Sequence, residues 1–150
     1  MLSAVVSALH VLALGIGLPA IFFRGRALKG PLDDPTLARL FAADNLWGVA
    51  ALLWIATGLA RAFGGLEKGS PFYLASALFW TKMTLFLAVG LLEIRPMTTF
   101  IRWRRRLRRG ERPDTAAARA LFVVNHVQLV LVVAIVFVAS FMARGFGLRP

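Results

Sequence analysis

The amino-acid sequence predicts an all-α integral membrane protein, with four transmembrane helices in one antiparallel bundle. The composition is the first observation behind this prediction, because 59% of the residues are hydrophobic whereas soluble domains are about 45–50% apolar. The second is a set of four apolar segments, each about as long as a helix that spans a bilayer. They cover residues 2–23, 46–64, 72–92 and 120–142. No long linker separates them, so residues 1–150 are predicted to form a single domain.

The connections between these segments contain residues that predict local helix starts and a turn. In the first connection, Asp34-Pro35 is typical of a helix start, which predicts a short interfacial helix over residues 36–43. The second connection, residues 64–71, is rich in glycine and ends in proline, which favours a tight hairpin. Asp114 in the third connection is a candidate cap for the fourth helix.

The net charge of +11 is concentrated in two connections. Residues 24–43 and 93–119 carry 13 Lys and Arg, and the other side of the predicted membrane carries 4. Because the cations lie between apolar spans, they favour topology-setting charge and argue against nucleic-acid binding. The positive-inside rule places the basic loops in the cytoplasm and both termini outside. The run from Arg102 to Arg109 is expected to contact anionic lipid headgroups.

Three polar side chains are predicted to share one layer in the outer half of the membrane. At a helical rise of about 1.5 Å per residue, His10, Thr57 and Lys82 lie about 12, 10 and 15 Å from the outer ends of their segments. A lysine at that depth is costly, and such residues usually face a bundle interior, a cavity or a ligand.

Two further positions have alternative interpretations. Gly17 shares the helix face of His10, so it is predicted to let a flat group approach the backbone, or else to serve close helix packing. His126 is predicted to lie in the inner half of the membrane in a structural role. Its candidate hydrogen-bond partners are Asp44, Asn45 and Glu93.

A histidine and a lysine in one intramembrane layer suit a haem held between helices. An amine must be neutral to ligate iron, and hydrocarbon disfavours its charged form. Arginines at the outer helix ends are candidates to bind the haem propionates. The predicted haem b site consists of the axial ligands His10 and Lys82 together with Gly17, Thr57, Arg61 and Arg144.

Two alternatives stay open. His10 and Lys82 would form a polar helix–helix network in a non-enzymatic structural or accessory subunit. A copper-handling or transport component is the other alternative, although the chain has two histidines and no cysteine. Transport by a chain of this size would require a homo-oligomer. Neither a catalytic residue nor a redox partner is predicted.

Seven motifs spread over nearly the whole chain resemble a family of bacterial four-helix membrane proteins catalogued as a domain of unknown function. They are Leu9-His10, Asp44-Asn45-Leu46-Trp47-Gly48, Thr57-Gly58-Leu59 with Arg61-Ala62-Phe63, Glu67-Lys68-Gly69, Phe79-Trp80-Thr81-Lys82-Met83, Glu93-Ile94-Arg95-Pro96-Met97 and Met142-Ala143-Arg144-Gly145. This resemblance implies a multi-pass protein of the bacterial inner membrane.

More distantly, the chain is similar to HemJ-type protoporphyrinogen oxidases and to CopD-like membrane proteins. The HemJ resemblance implies haem b held by a first-helix histidine, here His10, and a third-helix lysine, here Lys82 in a Trp-x-Lys context. It implies electron transfer or oxidation of a porphyrinogen-type substrate. Thr57-Gly58-Leu59 and Arg24 also match that family. The fourth helix departs from it, because Asn125 is followed by histidine where that family has glutamate.

Overall fold

The computed structural model describes residues 1–66 and 69–147, and the described residues form five α-helices. Four of them are long and apolar enough to cross a membrane, which confirms the predicted fold class. The helices are α1 (Leu2–Lys29), α2 (Asp34–Phe63), α3 (Ser70–Ala75), α4 (Ala77–Arg108) and α5 (Ala118–Ala143). Lys68 and Arg149, which contribute to the predicted charge asymmetry, lie outside the described residues.

The long helices extend past the predicted apolar segments at the end that carries the basic connections. α1 continues to Lys29 and α4 continues to Arg108. These extensions remain helical because arginine and leucine favour helix and because one stripe of side chains is still buried. That stripe forms a separate apolar layer from Leu28, Leu37, Leu40, Phe100, Trp103 and Leu121.

The short interfacial helix predicted over residues 36–43 is wrong as a separate element, since these residues are the first turns of α2. The helix starts one residue before the predicted Asp34 cap, since the Asp33 side chain accepts the hydrogen bond from the Thr36 backbone, at 2.9 Å. Hydrogen bonding to Thr36 lowers the pKa of Asp33. Leu37 and Leu40 are buried, and no glycine or proline interrupts the next two turns, so the helix continues into the apolar span.

The third predicted segment, residues 72–92, is divided at Ser76. The extended backbone of Ser76 ends α3, and its hydroxyl accepts a hydrogen bond from the Phe79 backbone at 3.4 Å to cap α4. The predicted tight hairpin is therefore followed by a short helix. Because the spanning helix begins at Ala77, Lys82 lies about 8 Å from its end rather than the predicted 15 Å.

α1 packs extensively against α2 and against α5, and α4 packs against α5. The bundle is completed between α2 and α4 by long side chains, such as Arg104, which reaches the Phe41 carbonyl at 3.1 Å. α1 and α4 are therefore diagonal to each other. The middle of the bundle is filled by an apolar layer that includes Ile21, Val89 and Val132.

Candidate functional site

Arg24 on α1 is the most deeply buried charged side chain that the structure describes, with no exposed surface. Its guanidinium donates two hydrogen bonds to Glu93 of α4, at 2.7 and 2.9 Å, and one to Asp44 of α2 at 3.1 Å. It also donates to Asn125 and Gln128 of α5, at 2.7 and 2.9 Å. One side chain thus joins all four long helices.

The partners of Arg24 are bonded to one another as well. Trp47 donates to Glu93 at 3.1 Å, and Gln128 donates to the same carboxylate at 2.7 Å. Every buried side-chain nitrogen and oxygen among the described residues has a hydrogen-bond partner. A satisfied network in a low dielectric is strong and rigid. We call it the Arg24 cluster, and it consists of Arg24, Asp44, Trp47, Glu93, Asn125 and Gln128.

The Arg24 cluster is balanced in charge. Arg104 of α4 donates to Asp44 at 2.9 Å, so two arginines face the carboxylates of Asp44 and Glu93. The rings of Trp47 and Phe100 flank the Arg24 guanidinium, at 5.6 and 5.9 Å from their centroids, a cation–π geometry. The pairing offsets part of the penalty that an isolated charge would carry in the membrane.

His126 does not take part in the Arg24 cluster, so its predicted bonds to Asp44, Asn45 or Glu93 are wrong. It is exposed, and its ring centroid lies 5.9 Å from that of Phe122. The preceding residue, Asn125, occupies the inward position instead and also donates to the Ile21 carbonyl at 2.9 Å. Neighbouring residues on a helix point about 100° apart, so Asn125 and His126 cannot share the inward face.

The structure brings together His10 and Thr57, across α1 and α2. His10 Nδ1 lies 2.8 Å from Thr57 Oγ1. The Thr57 hydroxyl donates to the Leu53 carbonyl of its own helix, so toward His10 it is an acceptor. His10 Nδ1 is therefore the donor in this contact, and a neutral imidazole of this tautomer has its lone pair on Nε2. A histidine ligand is commonly oriented in this way by a bond from its other nitrogen.

Gly58 of α2 is the glycine that lies beside His10, whereas Gly17 lies against Ala50 and Trp47 of α2. A Cβ atom at Gly58 would lie 3.6 Å from His10 Cε1, and the Trp54 ring centroid is 6.2 Å from that of His10. A Cβ at Gly17 would lie 3.3 Å from the Ala50 Cβ. Gly17 thus allows close packing of α1 on α2, the alternative interpretation given above.

Lys82 is half-buried on α4. Its Nζ lies 5.7 Å from the Phe79 ring centroid, and it shares a helix face with the buried Val89 and with Glu93 of the Arg24 cluster. Lys82 and His10 therefore belong to the core-facing stripes of two diagonal helices.

The two predicted propionate partners lie toward the same end of the bundle as His10 and Lys82. Arg61 is half-buried, one turn beyond Thr57 on α2. Arg144 is exposed and directly follows α5. The described residues of this end of the bundle thus include two arginines in addition to Lys82.

Gly25 allows a close approach of α1 to α5. A Cβ atom there would lie 2.6 Å from Asn125 Nδ2, and Asn125 is held by Arg24 and Ile21. We expect Gly25→Ala to lower the free energy of unfolding by about 1–3 kcal/mol, as measured by denaturant titration in mixed micelles. Gly15→Ala is the control, because no atom lies within 4 Å of its added Cβ. Equal stability of the two variants would contradict the close approach.

Four spanning helices whose outward faces carry large apolar side chains, such as Leu52, Leu87 and Val130, define a multi-pass helical membrane protein. The chain belongs to DUF2214, a family described as predicted membrane protein, whose model matches residues 2–147. This confirms the resemblance to a membrane-protein family of unknown function. Neither the curated proteins nor the solved structures compared with the chain gave a match. The HemJ and CopD resemblances, the bacterial inner membrane and the orientation stay predictions.

Proposed function

We propose that this protein binds haem b in the membrane through His10, with Lys82 as the second axial ligand. The observation that carries the proposal is the 2.8 Å contact between His10 Nδ1 and Thr57 Oγ1. In a neutral imidazole that donates from Nδ1, Nε2 has the lone pair that iron requires. Haem supplies one-electron redox chemistry when bound, so the function would be electron transfer or oxidation of a porphyrinogen-type substrate.

The surroundings of His10 support a planar ligand. Gly58 has no side chain to cover the Cε1 edge of the imidazole, and Trp54 supplies an aromatic surface next to it. Arg61 and Arg144 add cations at the same end of the bundle, and arginine pairs well with carboxylates such as propionates.

Lys82 is less well supported than His10 as a ligand of the haem iron. It lies near enough to the end of α4 for an ammonium group to reach the membrane surface by snorkelling. Its Nζ is also close to the Phe79 ring, which would stabilise the charged form. Ligation by Lys82 therefore needs a test of its own.

The haem proposal is tested by the visible spectrum of the full-length protein, purified in detergent after expression with ample haem supply. We expect a Soret band that co-elutes with the protein. Colourless protein that is folded by circular dichroism would overturn the proposal.

Lys82→Met is expected to retain haem with a changed spectrum, because the variant exchanges an amine ligand for a thioether or an open position. The comparison uses the oxidised and reduced spectra of the wild-type protein at the same haem content. A spectrum identical to that of the wild-type protein would show that Lys82 does not bind the iron.

The Arg24 cluster favours a second candidate function, that of a structural or accessory membrane subunit. Its polar groups are satisfied within the bundle and fix four helices relative to one another, and the His10–Thr57 contact would then be one more helix–helix bond. Folded, colourless protein in the spectral test would favour this function. The copper-handling alternative gains no support, since residues 1–66 and 69–147 contain no group of three or more potential His, Asp or Glu ligands.

A further inference from the structure

A groove of about 510 Å³ lies between α1 and α5, beside the Arg24 cluster and at the end of the bundle that carries the basic connections. Arg26 and Lys29 line it from α1, and His126 lines it from α5. All three side chains are exposed. The haem proposal uses none of them, so the groove is a separate feature of the molecule.

The charge of the groove is positive. Arg26 and Lys29 are three residues apart and therefore lie on one face of α1. No carboxylate lines the groove, and the described residues contain no ion pair of either cation. Asp44 and Glu93, the acids at the depth of Arg24, are bound by Arg24 on the interior side of α1. The groove is thus complementary to an anion.

The groove is also apolar toward the centre of the membrane. Phe22 lies one turn before Arg26 on α1, and Leu129 lies one turn after His126 on the antiparallel α5. Both are therefore displaced toward the bilayer centre relative to the polar residues. A phospholipid has the same order of parts, with a charged headgroup at the surface and acyl chains below it.

We propose that this groove binds one anionic phospholipid, with its phosphate between Arg26 and Lys29 and its acyl chains against Phe22 and Leu129. His126 donates a ring N–H to the headgroup. The site differs from the lipid contact predicted for Arg102–Arg109, because that run is mostly exposed helix surface, whereas this groove has walls from two helices.

The experiment is a lipid titration of the full-length protein in neutral detergent, followed by native mass spectrometry. Phosphatidylglycerol is compared with phosphatidylcholine of the same acyl chains. We expect retained phosphatidylglycerol in the wild-type protein and about 30-fold weaker binding in Arg26→Gln/Lys29→Gln, from about 1 kcal/mol for each cation near the surface. Arg105→Gln/Arg106→Gln is the matched control, since it removes the same charge from exposed positions of α4. Neither side chain lines the groove, so this variant should lose less binding than Arg26→Gln/Lys29→Gln.

The acyl-chain contact is tested with Phe22→Ala, which should weaken phosphatidylglycerol binding while all cations remain. Inorganic phosphate at the same concentrations is expected to displace little lipid, because it lacks the apolar part. Equal binding of the two lipids, equal loss in the two double variants, or full displacement by phosphate would each overturn the proposal. Circular dichroism checks that the exchanged side chains leave the helices folded.

Discussion

Arg24→Met is expected to lower the free energy of unfolding by about 3–5 kcal/mol, the cost of leaving one partner of a buried ion pair alone. The substitution retains a long side chain but removes five hydrogen bonds, including both from Arg24 to Glu93. Glu93 would keep its bonds from Trp47 and Gln128, yet no cation would balance it. Denaturant unfolding in mixed micelles, followed by circular dichroism, measures the loss.

A double-mutant cycle separates the ion pair from general packing. Glu93→Met should also be strongly destabilising, because it leaves the buried guanidinium of Arg24 without its bidentate partner. Arg24→Met/Glu93→Met is expected to be more stable than the sum of the two single losses predicts, since no uncompensated charge remains at that pair. Arg105→Met on the exposed face of α4 is the control. Strict additivity, or an Arg24→Met variant as stable as the wild-type protein, would contradict the role assigned to the Arg24 cluster.

The Arg24 cluster contributes strongly to the choice of helix arrangement because the bundle is surrounded by lipid rather than water. Inside a bilayer the lipid chains are as apolar as leucine, so burying apolar side chains does little to drive the helices together. Packing and polar contacts have to select the arrangement. The arrangement in which α1 lies between α2 and α5 and faces α4 gives the Arg24 guanidinium partners on all three other helices.

The helix count could be predicted from the sequence, whereas several helix ends could not. Hydropathy detects a segment that is apolar all round, but α4 continues to Arg108 with only one buried stripe, which includes Phe100 and Trp103. At Ser76 the sequence instead predicts too long a helix. Hydropathy favours one continuous segment over residues 72–92, whereas the extended backbone of Ser76 separates α3 from α4. That single residue changes the depth of Lys82 by about one and a half turns.

The candidate site was also predictable only in part, because hydropathy gives the approximate ends of a helix but not its rotation. The predicted common layer of His10 and Thr57 is correct because the start of α1 at Leu2 and the end of α2 at Phe63 lie within one residue of the predicted bounds. Arg24 was counted among the charges that set topology, and Gln128 carried no signal beyond being polar in an apolar segment. Recognising them as partners requires the rotation and order of the helices, which hydropathy does not give. The same is true of Gly17, whose open side is filled by Ala50.

His10→Ala is expected to abolish haem retention, because no other histidine among the described residues lies in that layer. The measurement is the ratio of Soret to protein absorbance after purification from cells supplied with haem. His126→Ala is the matched control, since it removes the other histidine of the chain from an exposed position near the opposite end of the bundle. Retained haem in His10→Ala would contradict the ligand assignment, and so would loss of haem in both variants.

Thr57 variants test the orientation of the His10 ring. Thr57→Val preserves the shape of the side chain but removes the acceptor for His10 Nδ1, and a lost bond of this kind typically weakens metal binding by about 10–100-fold. Thr57→Ser keeps a hydroxyl that can both donate to the Leu53 carbonyl and accept from His10, so it should bind haem nearly as the wild-type protein does. A haem titration of the three proteins distinguishes these outcomes. If Thr57→Val bound haem as tightly as Thr57→Ser, the hydrogen bond would be a helix–helix contact without a role in ligation.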